Sequence, residues 1–164
     1  MTDTPKLKIL FVCTGNTCRS PMAEALMRAK IPPELKDSIL VDSAGTMAAP
    51  GLPATAFTLR ALERRGVKLV GHASRKLTRE LAEQADLILA LEEEHRRAIL
   101  ALSREAGEKT FVLSDFPPGT PRGEKLGIHD PLGGSLEIYE ETCRRIDGHL
   151  DRALPEILDR LGAR

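Results

Sequence analysis

The chain has 164 residues, which is enough for one well-buried core and short for two domains, so we expect a single domain over residues 1–164. Lysine plus arginine and aspartate plus glutamate number 24 each, so no net charge favours nucleic acid or an anionic membrane as a partner. The sequence contains no signal-peptide pattern and no apolar run of membrane-spanning length. Three cysteines without disulfide-framework spacing favour a reducing compartment, and we expect a cytoplasmic protein.

Short apolar segments predict four buried β-strands, at residues 8–12, 39–42, 86–91 and 110–113. Helical patterns lie between them, at residues 21–30, 53–65, 77–84 and 92–105. Alternating strands and helices favour an α/β fold with an open parallel sheet and helices on both faces. In such sheets ligands bind beyond the carboxyl ends of the strands.

The C-terminal segment repeats apolar residues in steps of three and four from Leu136 to Leu161, which predicts a helix packed on the core. Pro155 should bend or divide that helix, because proline removes one backbone donor and crowds the preceding turn. Cys143 lies on the apolar stripe and is expected in the core.

The segment after the first strand carries the strongest chemical signal. Cys13 and Arg19 enclose five residues between a predicted strand and a predicted helix. Helix N-termini attract anions, and Gly15 and Asn16 tolerate the left-handed backbone angles that turn loop amides inward. Arg19 adds a planar fork of donors that can hold two phosphoryl oxygens. The loop is therefore expected to bind a phosphate-sized anion.

The positive field of such a loop lowers a thiol pKa, so Cys13 is predicted to be a thiolate and a nucleophile. Ser20 could either cap the helix or donate its hydroxyl to the thiolate, and Pro21 suits the first helical position. The alternative is a buried cysteine at a strand end, followed by an ordinary capped helix.

Residues 12–24, Val-Cys-Thr-Gly-Asn-Thr-Cys-Arg-Ser-Pro-Met-Ala-Glu, resemble the phosphate loop of the low-molecular-weight protein tyrosine phosphatases, including their bacterial protein-arginine phosphatase branch. Segments 43–46, 72–75, 85–90 and 130–135 follow in the family's order. The resemblance implies a four-stranded parallel sheet, a cysteinyl-phosphate intermediate, phosphorylated protein substrates and no cofactor. Phosphate or another oxyanion would contact the phosphate loop, which we define as residues 13–20; besides Cys13 and Arg19 its members are Thr14, Gly15, Asn16, Thr17, Cys18 and Ser20.

A phosphatase also needs an acid that protonates the leaving group and a base that activates water. Asp130 lies in a loop rich in glycine and proline that could aim its side chain over another element, although capping a turn is the commoner role of an Asp-Pro aspartate. The resemblance implies that Asp130 is the general acid. Asp115 is the competing carboxylate, and His129 is expected to be a surface neighbour.

Other polar residues are expected to support the loop. By resemblance, Asn16, Ser43 and His72 would form hydrogen bonds that hold its shape, whereas the residues alone suggest an exposed histidine at position 72. Cys18 either fills the underside of the loop or, as the resemblance also suggests, forms a reversible disulfide with Cys13. The histidines and cysteines lack metal-ligand spacing, so a metal-free site is expected.

Two positions bear on the substrate. Thr17 resembles the threonine that protein-arginine phosphatases carry at this position of the loop. Tyrosine-specific relatives usually carry a bulky aliphatic residue at the same position. Leu132, after the Asp-Pro, and residues 46–50 offer no aromatic ring for phosphotyrosine to stack on. Leu132 also departs from the arginine branch, which tends to keep an aromatic residue at that position. Phosphoarginine is therefore favoured, and phosphotyrosine is the alternative.

Two further classes of protein are disfavoured by the sequence. An arsenate reductase of this fold needs an additional pair of closely spaced cysteines, and none lies between Arg19 and Thr142. A phosphoprotein-binding module without activity would tolerate loss of the nucleophile or the acid, and both Cys13 and Asp130 are present.

Overall fold

The computed structural model describes residues 5–120 and 126–163. Four parallel strands form one sheet in the order β2-β1-β3-β4; they are β1 (Leu7–Cys13), β2 (Ile39–Gly45), β3 (Leu87–Ala90) and β4 (Thr110–Val112). The predicted fold class is confirmed. β2 runs past its predicted end because it stays paired with β1 as far as Cys13 opposite Gly45.

Five helices surround the sheet in this part of the chain: α1 (Arg19–Lys30), α2 (Ala56–Arg64), α3 (Arg79–Gln84), α4 (Glu93–Leu102) and α5 (Leu136–Gly162). Short 3₁₀ turns occur at Pro33–Leu35, Arg104–Lys109 and Leu113–Asp115. The predicted helix over residues 92–105 ends early, at Leu102, where the chain continues as a 3₁₀ turn. Within the described residues, no helix combines the length and the apolar content needed to cross a membrane.

Two proline expectations need correction. Pro155 does not divide the C-terminal helix, because α5 continues through it to Gly162, while a bend at Pro155 stays a prediction. The buried stripe of α5 packs along the core, and we attribute the tolerance of one missing backbone hydrogen bond to that packing. Pro21 occupies the third helical position, not the first, because α1 already begins at Arg19.

Side chains of β1 alternate between two cores. Leu7, Ile9, Phe11 and Cys13 pack on the side that holds α1, α2 and α5. Leu10 and Val12 pack on the opposite side, with residues of the α3 and α4 segments. Helices therefore cover both faces, and the alternation places Cys13 on the α1 side at the carboxyl end of its strand. Cys143 is fully buried in the same core, as predicted.

Candidate active site

The phosphate loop connects β1 to α1 at the carboxyl edge of the sheet. Its residues border a cavity of about 100 Å³ that Asp130 and Leu132 close from the other side. The lining residues are Cys13, Thr14, Gly15, Thr17, Cys18, Arg19, Asp130 and Leu132. The sequence predicted all of these residues as part of the site. The structure brings the phosphate loop together with Asp130 and Leu132, which lie more than one hundred positions further along the chain.

Cys13 is buried at the base of this cavity. Its Sγ lies 2.9 Å from Ser20 Oγ. Burial raises the pKa of the Cys13 thiol, while the Ser20 hydroxyl, the Arg19 charge and the backbone N–H groups of Asn16 and Ser20 act in the opposite direction. The Cys13 thiolate stays a prediction, since burial opposes the negative charge on sulfur and the surrounding donors favour it.

The two roles left open for Ser20 are now separated. Cys18 is the N-cap residue of α1 and makes no side-chain capping bond, so Ser20 does not cap the helix. Its hydroxyl instead faces the thiol, with Oγ 2.9 Å from Cys13 Sγ. Ser20 Oγ lies at 3.4 Å from the backbone oxygen of Ala44 and also accepts a hydrogen bond from Asn16 Nδ2.

Asn16 is fully buried at the centre of the hydrogen-bond network under the loop. Its Nδ2 donates to Ser20 Oγ at 2.8 Å and to Ser43 Oγ at 2.9 Å, and its Oδ1 accepts from the backbone N–H of Arg75. His72 Nε2 lies 2.8 Å from the Asn16 carbonyl oxygen, so His72 is not a free surface side chain. Asn16 has a positive φ of 56°, as the sequence predicted, whereas Gly15 does not adopt a positive φ.

Arg19 is a buried cation whose position is determined by two segments far away in sequence. Nη1 donates to Glu92 Oε1 at 2.6 Å and to the Ile128 carbonyl oxygen at 3.0 Å. Nη2 faces the cavity side, donating to Thr14 Oγ1 at 3.3 Å. Glu92 was not predicted as a site residue, although it lies two residues after the end of β3 and so at the edge where ligands bind in parallel sheets.

Asp130 caps a turn and also borders the cavity, and its role as general acid stays a prediction. Its Oδ1 accepts the backbone N–H of Leu132 at 3.0 Å, which caps the local turn, and its Oδ2 lies 3.4 Å from Arg19 Nη2. The carboxylate is partly exposed and borders the cavity. Asp115 belongs to the Leu113–Asp115 turn and His129 is exposed; neither lines the Cys13 cavity.

Gly45 is a site residue that sequence reasoning passed over. A Cβ atom at this position would lie 2.9 Å from Asn16 N and 2.9 Å from Ala48 Cβ, and still closer to the Thr14 carbonyl oxygen. The backbone of the phosphate loop therefore needs a residue without a side chain where it crosses the end of β2. The signal was present in the sequence, since Gly45 belongs to segment 43–46, but pairing with β1 was needed to interpret it.

The rim of the cavity is aliphatic and polar. Thr17 and Leu132 line it, and Leu132 is 66% exposed. No aromatic residue is among the lining residues in the described chain; Tyr139 lies behind Cys18, with Oη 3.5 Å from Cys18 Sγ. Residues 46–50, which the sequence analysis considered beside Leu132 as a possible stacking surface for phosphotyrosine, do not border the cavity.

Cys13, Cys18 and Cys143 are free thiols in the structure, and the Cys13–Cys18 disulfide stays a prediction. The described residues contain no group of three or more histidine, cysteine, aspartate or glutamate side chains placed to hold a metal ion.

Known proteins are similar to this chain in sequence and in fold. A family model described as low molecular weight phosphotyrosine protein phosphatase matches residues 8–162. The chain is 42% identical over 136 residues to a protein-arginine-phosphatase of Bacillus subtilis (strain 168), covering 83% of this chain and 87% of that one. It is 39% identical over 153 residues to the low molecular weight protein-tyrosine-phosphatase Etp of Escherichia coli (strain K12), covering 93% of each.

A solved structure of an arginine phosphatase is also similar to this chain in fold and in sequence. It is a cysteine-to-serine mutant of YwlE arginine phosphatase with a phosphorylated active-site serine, similar at a TM-score of 0.82 and 38% identity and covering 94% of this chain and 99% of that one. The chain therefore belongs to the low molecular weight phosphotyrosine protein phosphatase family.

Proposed function

We propose that the protein hydrolyses phosphoarginine on protein substrates through a phosphocysteine at Cys13. The observation that carries the proposal is the cavity that places the Cys13 thiol, the Arg19 guanidinium and the Asp130 carboxylate around one phosphate-sized space. These groups supply the nucleophile, the oxyanion clamp and the proton donor that phosphoryl transfer requires.

In the first step, Cys13 Sγ attacks phosphorus and the bond from phosphorus to the leaving nitrogen breaks. The proton of the Cys13 thiol passes to the arriving phosphoryl dianion before the attack. Ser20 Oγ and the N–H groups of Asn16 and Ser20 then stabilise the thiolate as it forms. Asp130 in its protonated form gives its proton to the leaving guanidine nitrogen.

In the second step, the Asp130 carboxylate takes a proton from water as the water oxygen attacks the phosphocysteine. The electron pair of the sulfur–phosphorus bond returns to sulfur, the Cys13 thiolate takes back its proton from the phosphate, and inorganic phosphate leaves. Arg19 is suited to hold two phosphoryl oxygens through both steps because Glu92 and the Ile128 carbonyl fix the plane of its guanidinium from behind.

Two features support arginine as the phosphorylated side chain. Thr17 borders the cavity with a small polar side chain, and the lining contains no aromatic ring against which a tyrosine could stack. The similarity to protein-arginine phosphatases is in line with them. Phosphotyrosine is the second candidate, supported by the similarity to Etp over 93% of the chain.

The test compares matched phosphoarginine and phosphotyrosine peptides on the wild type and on Thr17→Ile. We expect the wild type to prefer phosphoarginine and Thr17→Ile to shift the ratio of kcat/KM toward phosphotyrosine. An unchanged ratio would remove Thr17 as the selector, and a wild-type preference for phosphotyrosine would establish the second candidate. Cys13→Ser should bind both peptides without turnover.

We also propose that the protein works in the cytoplasm, since a thiol nucleophile needs a reducing compartment and Cys13, Cys18 and Cys143 are unpaired.

A further inference from the structure

His95 is a buried histidine for which the proposed chemistry assigns no role. It is 1% exposed and lies in the first turn of α4, on a segment that sequence reasoning did not connect with the phosphate loop. Its Nε2 nevertheless lies 2.8 Å from Thr14 Oγ1, and Thr14 borders the cavity. The ring thus connects α4 directly to the residue that follows the nucleophile.

The hydrogen-bond partners of the ring determine which nitrogen carries the proton. The backbone N–H of Glu92 donates to His95 Nδ1 at 3.0 Å, so Nδ1 must offer a lone pair. Burial and the Arg19 charge lower the pKa of His95 to about 4, against the opposing effect of Asp130, so the ring is neutral near pH 7. A neutral ring that accepts at Nδ1 carries its hydrogen on Nε2.

Two acceptors lie near that Nε2 hydrogen. Thr14 Oγ1 is at 2.8 Å and Glu94 Oε1 is at 3.5 Å, on a side chain that is largely exposed. The shorter contact identifies Thr14 as the recipient of the hydrogen bond.

The Thr14 hydroxyl therefore has both of its acceptor sites occupied. Oγ1 accepts from His95 Nε2 and from Arg19 Nη2, at 2.8 and 3.3 Å. A hydroxyl has two lone pairs and one hydrogen, so the role that is left is donation. Within residues 5–120 and 126–163, Thr14 Oγ1 makes no other hydrogen bond, and the open space beside it is the cavity between Cys13 and Asp130.

We infer that His95 is a positioning residue for phosphate recognition: its Nε2–H bond to Thr14 Oγ1 aims the Thr14 hydroxyl hydrogen into the cavity, at a phosphoryl oxygen of the bound substrate. This role rests on the proposed function, because it concerns the same phosphate site. Thr14 contacts the ligand, whereas His95 acts only through Thr14. The Thr14 hydroxyl would contact any phosphorylated substrate whose phosphoryl group enters the cavity, whatever its leaving group.

The experiment measures two quantities on one set of variants: the dissociation constant of inorganic phosphate by titration calorimetry, and kcat/KM for 4-nitrophenyl phosphate. Thr14→Val removes the hydroxyl while keeping the shape, and Thr14→Ser keeps the hydroxyl. His95→Leu removes the donor, and His95→Gln keeps an amide donor near the position of Nε2. The double variant Thr14→Val/His95→Leu closes a mutant cycle. The matched control is His149→Leu. His149 is a half-buried histidine of α5, and burial lowers its pKa to about 4 as well.

We expect Thr14→Val and His95→Leu each to weaken phosphate binding roughly ten- to hundred-fold, the cost of losing a hydrogen bond to a charged group. The double variant should bind phosphate as tightly as the single variant with the lower affinity, because both changes remove the same donor. Thr14→Ser, His95→Gln and His149→Leu should stay within about threefold of the wild type.

Three results would each overturn the inference. The first is a double variant whose loss of phosphate affinity equals the product of the two single losses. The others are a Thr14→Val variant that binds phosphate normally and a His95→Gln variant that binds phosphate as weakly as Thr14→Val. Melting temperatures show which variants are folded. If His95→Leu is not folded, the phosphate affinities of Thr14→Val, Thr14→Ser and His95→Gln test the inference without it. Absence of turnover in the wild type would refute the proposed function alone, since phosphate binding still tests the role of His95.

Discussion

Ser20 Oγ and Cys13 Sγ lie 2.9 Å apart in a pocket where both side chains are buried. Ser20 is anchored in turn by Asn16, whose amide also holds Ser43, so the hydroxyl that faces the sulfur is held from behind. Ser43 donates to the buried carboxyl of Glu24 at 3.1 Å, which extends the network away from the loop. The nucleophile is thus backed by a chain of polar side chains that opposes the cost of its burial.

Ser20→Ala should raise the pKa of Cys13 further, because it removes the hydroxyl that lowers this pKa most while burial is unchanged. The pH at which iodoacetamide alkylates Cys13 half-maximally should move upward, and turnover at pH 7 should fall by roughly tenfold. Peptide-resolved mass spectrometry separates Cys13 from Cys143, whose pKa burial raises to about 11.

Ser103→Ala is the matched control for that experiment. Ser103 is buried, and its Oγ has no hydrogen-bond partner among the described residues, so a hydroxyl is removed without loss of a bond. An alkylation profile of Ser20→Ala identical to that of Ser103→Ala would contradict the role assigned to Ser20.

Asp130→Asn should slow formation of the phosphocysteine, because an amide cannot give a proton to the leaving group. A loss on the order of 10²-fold to 10⁴-fold is expected for general acid catalysis, and it should be smaller for an aryl phosphate whose leaving group needs little protonation. Rapid-quench measurement of the first turnover isolates this step. Asp115→Asn, which changes the competing carboxylate outside the cavity, should keep its first-turnover rate; equal losses in the two variants would remove Asp130 as the acid.

Gly45→Ala should displace the phosphate loop, since the new methyl group would overlap the Thr14 carbonyl oxygen and Asn16 N. We expect the affinity for inorganic phosphate to fall and the melting temperature to drop, consistent with overpacking losses of about 1–3 kcal/mol. Gly148→Ala is the control, because Gly148 lies in α5 with nothing within 4 Å of its added methyl group and should gain about 0.5–1 kcal/mol. A Gly45→Ala variant that binds phosphate like the wild type would show that the loop tolerates the displacement.

Asp147→Asn should destabilise the fold in a pH-dependent way. Burial opposes the charged form of Asp147, but hydrogen bonds from Lys30 and Arg65 outweigh that effect and lower its pKa. Lys30 Nζ lies 2.6 Å from Asp147 Oδ1, and Arg65 pairs with Oδ2, so the carboxylate joins α1, the end of α2 and α5. A pKa lowered in the folded state contributes stability above the unfolded pKa, and that stability is lost as the pH falls through the folded pKa.

The free energy of unfolding in urea should therefore be about 1–3 kcal/mol lower for Asp147→Asn than for the wild type at pH 7. The gap should narrow below about pH 4, as the wild-type carboxylate takes up its proton. Glu141→Gln, which breaks the exposed pair with Arg144, should leave the free energy unchanged. A gap for Asp147→Asn that stays constant between pH 7 and pH 3 would exclude the charge as its cause.

The sequence predicted the architecture and the reacting groups because both depend on local signals. Short apolar segments alternating with helical patterns identify a parallel sheet, and Cys13 and Arg19 are spaced along one continuous loop. Family resemblance connected Asp130 to that loop, which spacing alone could not do. The helix limits were less accurate, since the end of α4 at Leu102 and the continuity of α5 through Pro155 depend on packing.

Glu92, His95 and Gly45 were missed for one reason. Each acts on the phosphate loop through a contact between distant segments: Glu92 holds Arg19, His95 reaches Thr14, and Gly45 gives the loop room to cross β2. A glutamate before a helix, a histidine in its first turn and a glycine at a strand end all have common local explanations. Their role becomes visible only when the sheet order places β1 between β2 and β3.

By itself, the amino-acid sequence determined which groups can react, because a thiol, a guanidinium and a carboxylate owe their chemistry to covalent structure. The tertiary structure decided how those groups are tuned, because a pKa and a hydrogen-bond direction depend on burial and on neighbours from other strands. The raised pKa of Cys13 and the neutral His95 ring both follow from desolvation, which arises only when the sheet and its helices enclose the loop.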